Sequence, residues 1–177
     1  PTRTLYLMTK AFEFLPIPVR SKKPRQYGLT MVLDQGLGLN YTEDLLTISA
    51  NYIDLWKLGW ATTQLQPLDV VRRKVELLRS HNISVCNGGT LLELSEHQKK
   101  ASELFAELRE MGADATELSS GSLDIEPQRI CELIVEARES GLVPYCEVGR
   151  KLSKHDLEAS EYNAQLKQFL EAGAEKV

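Results

Sequence analysis

The residues that could do chemistry in this sequence stand at the ends of apolar, strand-like runs. They are acids, bases and a glycine pair with a following threonine: Asp34, Lys57, Gly88, Gly89, Thr90, Glu117, Glu147, Arg150 and Lys151. Carboxylates can hold a metal ion or move protons, and basic side chains can neutralise a phosphate or a carboxylate. If these residues converge, they predict metal-assisted chemistry on a small anionic substrate.

Lys57 is the most informative member of this set. In the run YIDLWKLGW it follows Leu55 by two residues, so on a strand it shares a face with Leu55 and Ile53. A cation on an apolar face needs a partner or a task. We expect burial to lower its pKa towards a range useful for proton transfer.

The other candidates each have two interpretations. Glu117 and Glu147 are predicted to act as acid–base groups or to hold Mg²⁺, the alternative being structural ion pairs with Lys57. Asp34 either orients Lys57 or a metal-bound water, or simply ends its strand. The glycine pair and Thr90 form a tight turn or bring N–H groups and a hydroxyl to an anion. Arg150 and Lys151 are surface residues or capture the same anion.

Alternating strands and helices must position these residues. Strand-like runs begin near residues 29, 52, 83, 113, 142 and 174. Helices are predicted over 42–51 with Thr42 as N-cap, 67–82, 92–111, 126–140, and 154–172 with a cap from Ser153 and Asp156. This alternation indicates βαβ units and a parallel sheet, at whose carboxyl edge the candidate residues would meet.

Two α/β architectures fit the pattern: an open doubly wound sheet of about six strands, and a (β/α)8 barrel. The pattern alone slightly favours the open sheet, because eight such units would overrun 177 residues. Residues 29–177 are predicted to form the α/β domain. Residues 1–28 are predicted to be a solvated lead-in segment with a basic cluster: Arg20, Lys22, Lys23 and Arg25.

Composition excludes several classes of protein. The net charge of -4 gives no indication of nucleic-acid binding, and no apolar run approaches the roughly 18 residues of a membrane span. No G-x-G-x-x-G follows a strand, so a dinucleotide cofactor has no support. The three cysteines lack a paired spacing, which predicts reduced thiols in the cytoplasm and no zinc site.

Five blocks in order resemble the phosphosulfolactate synthase family: KPRQYGLTMVLDQGLGL, YIDLWKLGWAT, VCNGGTLLE, TELSSGSLDI and CEVGRKL. The resemblance implies a (β/α)8 TIM barrel, here truncated after about strand six. It also implies Mg²⁺-dependent addition of sulfite to phosphoenolpyruvate, giving (2R)-O-phospho-3-sulfolactate, a step that begins coenzyme M synthesis in methanogens. A homo-oligomer is expected.

On this reading Lys57 donates a proton or clamps the substrate carboxylate, Glu117 and Glu147 hold Mg²⁺, and the glycine pair contacts an anionic group. Four positions depart from the family pattern: Gln35 replaces a cation, Ser120 replaces an acid, and Cys86-Asn87 replaces an aromatic and a proline. Two alternatives stay open. One is a non-catalytic barrel relative of the heat-stress-associated type. The other is a different barrel lyase that uses Lys57 as a Schiff base.

Overall fold

Strands and helices alternate along the chain, as the sequence predicts. The computed structural model describes residues 11–149 and 157–177. Its strands are β1 Met31–Asp34, β2 Leu55–Leu58, β3 Ser84–Asn87, β4 Ala115–Leu118 and β5 Val143–Cys146. Its α-helices are α1 Leu39–Ser49, α2 Leu68–Ser80, α3 Gly89–His97, α4 Ala101–Glu110, α5 Pro127–Glu139 and α6 Ala159–Ala172. The proposed cap residues Ser153 and Asp156 lie outside the described residues.

The strands are parallel and pair in chain order. β1, β2 and β3 form one ladder, and β4 and β5 form a second. Side chains join the two ladders: Asp114 accepts the Val85 N–H, and Asn87 accepts the Glu117 N–H. The predicted sixth strand is present as a single parallel bridge between Tyr145 and Lys176.

The two faces of this sheet differ in what covers them. Trp56 and Leu58 of β2 belong to the large core beneath the helices, whereas Leu55 packs with Cys86 and Ala115 in a small separate cluster. A helix-covered outer face and a narrow inner cluster are the two sides of a (β/α) barrel wall. Lys57 shares the inner face with Leu55, as predicted.

Three details of the sequence-based assignment are wrong. Thr42 does not cap α1, which begins after Gly38; Thr42 is buried within the helix and its hydroxyl donates to the Gly38 carbonyl. The single helix expected over 92–111 is two helices, since Lys99 adopts a left-handed backbone (φ 59°) between α3 and α4. Ile53 precedes β2 and joins the outer core rather than the Lys57 face.

Three residues of the basic cluster bond to the domain, although most of residues 11–28 are exposed. Arg20 and Arg25 form ion pairs with Asp54 at 3.1 and 2.7 Å, just before β2. Lys23 donates to the carbonyls of residues 81 and 82 that follow α2. These bonds attach residues 20–25 to the amino-terminal side of the sheet, opposite the carboxyl ends of the strands.

Candidate functional site

Lys57, Glu117 and Glu147 converge on the inner face at the carboxyl ends of β2, β4 and β5. The Lys57 Nζ lies 2.7 Å from Glu117 Oε2 and 3.2 Å from Glu147 Oε1. The Lys57 and Glu117 side chains are 13% and 5% exposed, whereas the Glu147 side chain is 35% exposed. The trio is therefore buried on one side and open to solvent on the Glu147 side.

Strand alternation explains this convergence. Ala115 and Glu117 are two residues apart on β4, and Tyr145 and Glu147 are two residues apart at the end of β5. Ala115 and Tyr145 both contact the inner cluster, so the two glutamates project from the same inner face. A parallel sheet with in-register strand ends then brings them to one rim.

The glycine pair holds one of these carboxylates. Gly88 is the N-cap of α3, and the N–H of Gly89 donates to Glu117 Oε1 at 2.8 Å. A Cβ at residue 89 would collide with the Ser119 side chain and reach within 3.1 Å of Glu117 Oε1, so only glycine fits. The anion at this helix start is Glu117 itself, and the partial positive charge of the helix terminus stabilises it.

The ion pairs raise the pKa of Lys57 instead of lowering it. Burial acts to lower that pKa, but the hydrogen bond to Glu117 and the charges of Glu117 and Glu147 outweigh burial. The expectation of a lowered lysine pKa is therefore wrong for this arrangement. Lys57 is a protonated ammonium, which suits it to bind an anion and to hold a proton.

The pKa of Glu117 is also raised, because for this group burial outweighs the hydrogen bonds that favour its charged form. Burial disfavours its charged form most strongly and the nearby charge of Glu147 adds to this, while Lys57 and the Gly89 N–H oppose them. With both glutamates ionised, one ammonium faces two carboxylates, so the trio carries a formal charge of −1. An anionic ligand would need further positive charge at this site.

Asp34 lies on the other side of the sheet and is not paired with Lys57. Its carboxylate is 2.7 Å from the Nζ of Lys74 on α2, and both side chains are 1% exposed. Trp56 Nε1 and the N–H groups of Gly36 and Leu37 also donate to it. Burial acts to raise the Asp34 pKa, but these partners lower it overall. The structure thus gives Asp34 a structural partner beneath the helices.

The remaining candidates have varied surroundings. Thr90 is half-buried in the first turn of α3. Arg150 and Lys151 lie outside the described residues. Among the departures from the family pattern, Gln35 is exposed, and the Ser120 hydroxyl bonds within its own loop to the carbonyls of Leu123 and Ile125.

Sequence reasoning missed two buried charged residues, Lys74 and Glu93. Lys74 sits within the apolar stripe of α2 between Val71 and Leu78, and that position was the available signal. Glu93 follows Gly89 by four residues, so both lie on one face of α3. Its carboxylate accepts hydrogen bonds from the loop after β4.

The described residues lack two kinds of feature. Residues 11–149 and 157–177 contain no group of three or more His, Cys, Asp or Glu side chains placed to hold a metal ion. Within those same ranges, no helix has the length and apolar character needed to cross a membrane.

The fold and the site together define a class of protein. The strands are parallel with helices on one face, and charged residues gather at the carboxyl ends of the strands. The chain is therefore part of a (β/α)-barrel protein with an enzyme-like rim site. Residues 18–177 match the model of the family described as ComA, (2R)-phospho-3-sulfolactate synthase. The chain belongs to this family, which confirms the resemblance.

Curated relatives support the same assignment. The chain is 40% identical over 169 residues to phosphosulfolactate synthase from Methanothermobacter thermautotrophicus, a match that covers 94% of this chain and 65% of that protein. It is 36% identical over 170 residues to the Methanocaldococcus jannaschii enzyme, covering 95% and 65%. The Bacillus subtilis phosphosulfolactate synthase is 33% identical over 165 residues, covering 92% and 64%. The chain thus spans just under two thirds of the length of these relatives.

Solved structures agree on the fold. A 2,3-dimethylmalate lyase, a member of the PEP mutase/isocitrate lyase superfamily, matches with a TM-score of 0.53 at 15% identity, covering 82% of this chain and 55% of that one. The carboxyl transferase domain of Rhizobium etli pyruvate carboxylase matches with a TM-score of 0.59 at 18% identity, covering 84% and 26%. At such identities the likeness concerns the fold alone, and it favours the barrel over the open sheet.

Proposed function

We propose that this chain carries a catalytic rim of a phosphosulfolactate synthase, which adds sulfite to phosphoenolpyruvate to give (2R)-O-phospho-3-sulfolactate. The observation that carries the proposal is the Lys57 ammonium held between Glu117 and Glu147 at the carboxyl ends of three strands. Membership of the family supports this reaction. The trio supplies an ammonium that can bind an anion and two carboxylates that can hold a metal ion.

The proposed reaction forms a carbon–sulfur bond and then a carbon–hydrogen bond. The sulfur lone pair of sulfite attacks C3 of phosphoenolpyruvate, and the electrons of the C2–C3 double bond move towards the carboxylate. A proton must then be delivered to C2 on one face. Lys57 is the proposed donor, because its raised pKa keeps a proton on Nζ at neutral pH. Solvent afterwards returns a proton to the amine.

Lys57 would also bind the substrate carboxylate. A positioned ammonium that faces developing negative charge stabilises the transition state more than it stabilises the ground state. The partly buried setting of the Nζ strengthens this interaction relative to bulk water. Glu117, fixed by the Gly89 N–H, would hold the ammonium in place while the more exposed Glu147 gives way to substrate.

The same two carboxylates are the residues that would hold Mg²⁺. Their number fits this ion, which commonly uses one or two protein carboxylates and completes its shell with water and substrate oxygens. When bound, Mg²⁺ would supply positive charge beside the two carboxylates and favour the developing negative charge on the substrate. We also propose a cytoplasmic homo-oligomer; the three free cysteines are consistent with the location.

The Schiff-base alternative for Lys57 has less support. Imine formation needs a neutral amine, which enzymes obtain by lowering the lysine pKa through burial or a neighbouring cation. Here two carboxylates raise that pKa. Borohydride reduction in the presence of a keto acid should therefore leave Lys57 unmodified.

The proposal can be tested with the natural protein that carries this chain, whose intact mass is recorded first. Phosphoenolpyruvate, sulfite and Mg²⁺ are added, and the product is read by mass spectrometry. We expect phosphosulfolactate. Lys57→Arg keeps the charge but cannot release a proton, so it should preserve the KM for phosphoenolpyruvate more than it preserves kcat.

Lys167 on α6 offers a matched control. It also pairs with a glutamate, but both side chains are largely exposed, so Lys167→Arg should leave both constants unchanged. Absence of product from the unmodified protein would refute the synthase proposal. Unchanged kcat in Lys57→Arg would refute the proton-donor role while leaving the anion-binding role intact.

A further inference from the structure

Glu93 is a fully buried carboxylate, 1% exposed, outside the Lys57 trio. It accepts hydrogen bonds from the N–H groups of Gly121, Ser122 and Leu123 at 2.9, 2.8 and 2.6 Å. The Ser119 hydroxyl donates to the same carboxylate. Four donors from one loop thus converge on a single side chain of α3.

Three successive backbone N–H groups that point inwards form a concave site that binds anions. In many proteins such a loop receives a phosphate. Here the Glu93 carboxylate occupies this anion site. The N–H groups of the loop after β4 therefore donate to a side chain of α3 and not to a bound ligand. The loop is thereby tied to α3.

This tie bears directly on Glu117. Two residues of α3 hold Glu117 and its neighbourhood. The Gly89 N–H donates to the Glu117 carboxylate. One helical turn after Gly89, Glu93 accepts the hydroxyl of Ser119, which follows Glu117 by two residues. Asn87 adds a third restraint by bonding both the N–H and the carbonyl of Glu117. A shift of the loop would move the backbone that carries Glu117.

We propose that Glu93 is a positioning residue that holds the loop after β4 and, through it, sets the distance between Glu117 and Lys57. The structural claim stands on these contacts alone. Its catalytic consequence rests on the proposed function, since it matters for turnover only if the Lys57 trio acts on phosphoenolpyruvate. The Glu93 carboxylate accepts its hydrogen bonds from the loop after β4 and from none of the three trio side chains, so it acts through the loop.

Glu93→Gln tests this role, because the amide keeps the shape but presents a donor where N–H groups already donate. Glu96→Gln is the matched control: it lies on the same helix and pairs with Arg129, away from the trio. Two quantities are followed in each variant. One is the hydrogen-exchange protection of the amides of Gly121, Ser122 and Leu123. The other is the ¹³C chemical shift of Lys57 Cε at neutral pH, which responds to the position of the Glu117 carboxylate beside its Nζ.

We expect Glu93→Gln to lose about tenfold or more of this protection, since hydrogen bonds to a charged group are replaced by poorer ones. The Lys57 Cε resonance should shift as the contact of Lys57 with Glu117 changes, while Glu96→Gln leaves both readouts unchanged. A Lys57 Cε resonance identical to that of the unmodified protein, with or without loss of protection, would overturn the positioning role.

Ser119→Ala provides a milder variant if Glu93→Gln fails to fold. It removes one of the four donors, and a smaller shift of the Lys57 Cε resonance in the same direction is expected; no shift would count against the proposal. Both readouts are independent of turnover. If the unmodified protein makes no phosphosulfolactate but Glu93→Gln still shifts the Lys57 Cε resonance, the proposed function fails and the positioning role survives.

Discussion

Two lysines of this chain each meet a carboxylate at 2.7 Å, and the surroundings of the two pairs differ. Lys74 and Asp34 are 1% exposed and lie between the sheet and α2. Lys57 meets Glu117 on the inner face and shares a second carboxylate, Glu147, whose side chain is 35% exposed. One pair is closed to solvent, and the other is open on one side.

The difference in hydrogen bonding is equally clear. Asp34 is matched by one ammonium, an indole N–H and two backbone N–H groups, so its charge and its lone pairs are satisfied. The Lys57 trio instead has one cation for two anions. A buried, satisfied pair stabilises one local structure, whereas a partly exposed one can also contact a ligand.

The largest expected effect is on stability, from Lys74→Met. Removal of the ammonium leaves Asp34 buried without its charge partner, which should lower the free energy of unfolding by about 3–5 kcal/mol. Chemical denaturation measures this loss. Lys167→Met, which breaks an exposed pair on α6, should change stability by less than about 1 kcal/mol.

Replacing Asp34 by Asn in the Lys74→Met variant sharpens this prediction. The double variant Asp34→Asn, Lys74→Met removes both charges, so part of the lost stability should return. If Lys74→Met alone cost no more than the Lys167 control, the contrast between the closed and open pairs would not hold.

Gly89→Ala should have the next largest effect, because the added methyl group meets Ser119 and Glu117. Overpacking of this kind costs about 1–3 kcal/mol, despite the better helix propensity of alanine. Gly38→Ala is the control, since a Cβ there meets nothing within 4 Å. Thermal unfolding that ranks the two variants equally would contradict the close packing of Glu117 against α3.

Lys57→Met should destabilise the fold less than Lys74→Met does. Glu117 already has a raised pKa, so it can take up a proton when the ammonium is lost and avoid a buried unpaired charge. We expect a loss of about 1–2 kcal/mol at neutral pH, becoming smaller in mild acid. A loss equal to that of Lys74→Met would show that both pairs serve the fold alike.

The smallest effect is a difference in pH dependence. The pKa of Asp34 in the folded protein is below its ordinary value of 3.8, so its stabilisation is present above that pH and is lost as the pH falls through the folded pKa. The folded pKa of Glu117 is above 4.5, so its contribution is greatest below pH 4.5 and is lost as the pH rises through the folded pKa.

Asp34→Asn and Glu117→Gln should reveal these opposite slopes. From pH 4 upwards, the free energy of unfolding of the unmodified protein should fall relative to that of Glu117→Gln. The fall is about 1.4 kcal/mol for each tenfold by which folding tightens proton binding to Glu117. Relative to Asp34→Asn, the free energy of unfolding should fall only towards stronger acid. Urea unfolding at several pH values measures both, and parallel profiles would refute the assignment of opposite shifts.

The sequence predicted the convergence of Lys57, Glu117 and Glu147 well, because strand alternation and a common carboxyl edge depend on local pattern alone. Lys57 was recognisable because it shares a strand face with apolar Leu55. The direction of its pKa shift was not predictable, since the number and distance of its carboxylate partners arise only from strands 60 and 90 residues away along the chain.

Other errors have equally specific causes. Asp34 looked like a rim residue because it ends a strand, but one residue of register decides which face it occupies, and Lys74 on α2 fixed that choice. The break at Lys99 was missed because helical spacing of apolar residues continues across it. Glu93 was overlooked because its partners are backbone N–H groups, which have no sequence signature.

The central claim is that Lys57 is a protonated ammonium that binds an anionic substrate, whereas Lys74 serves the fold. Calorimetric titration of phosphoenolpyruvate in the presence of Mg²⁺ tests it most directly, with the unmodified protein, Lys57→Met and the Lys167→Met control. We predict that Lys57→Met weakens binding about tenfold or more, as loss of a charged hydrogen bond requires, and that the control binds normally. Equal affinity in Lys57→Met and the unmodified protein would contradict the account.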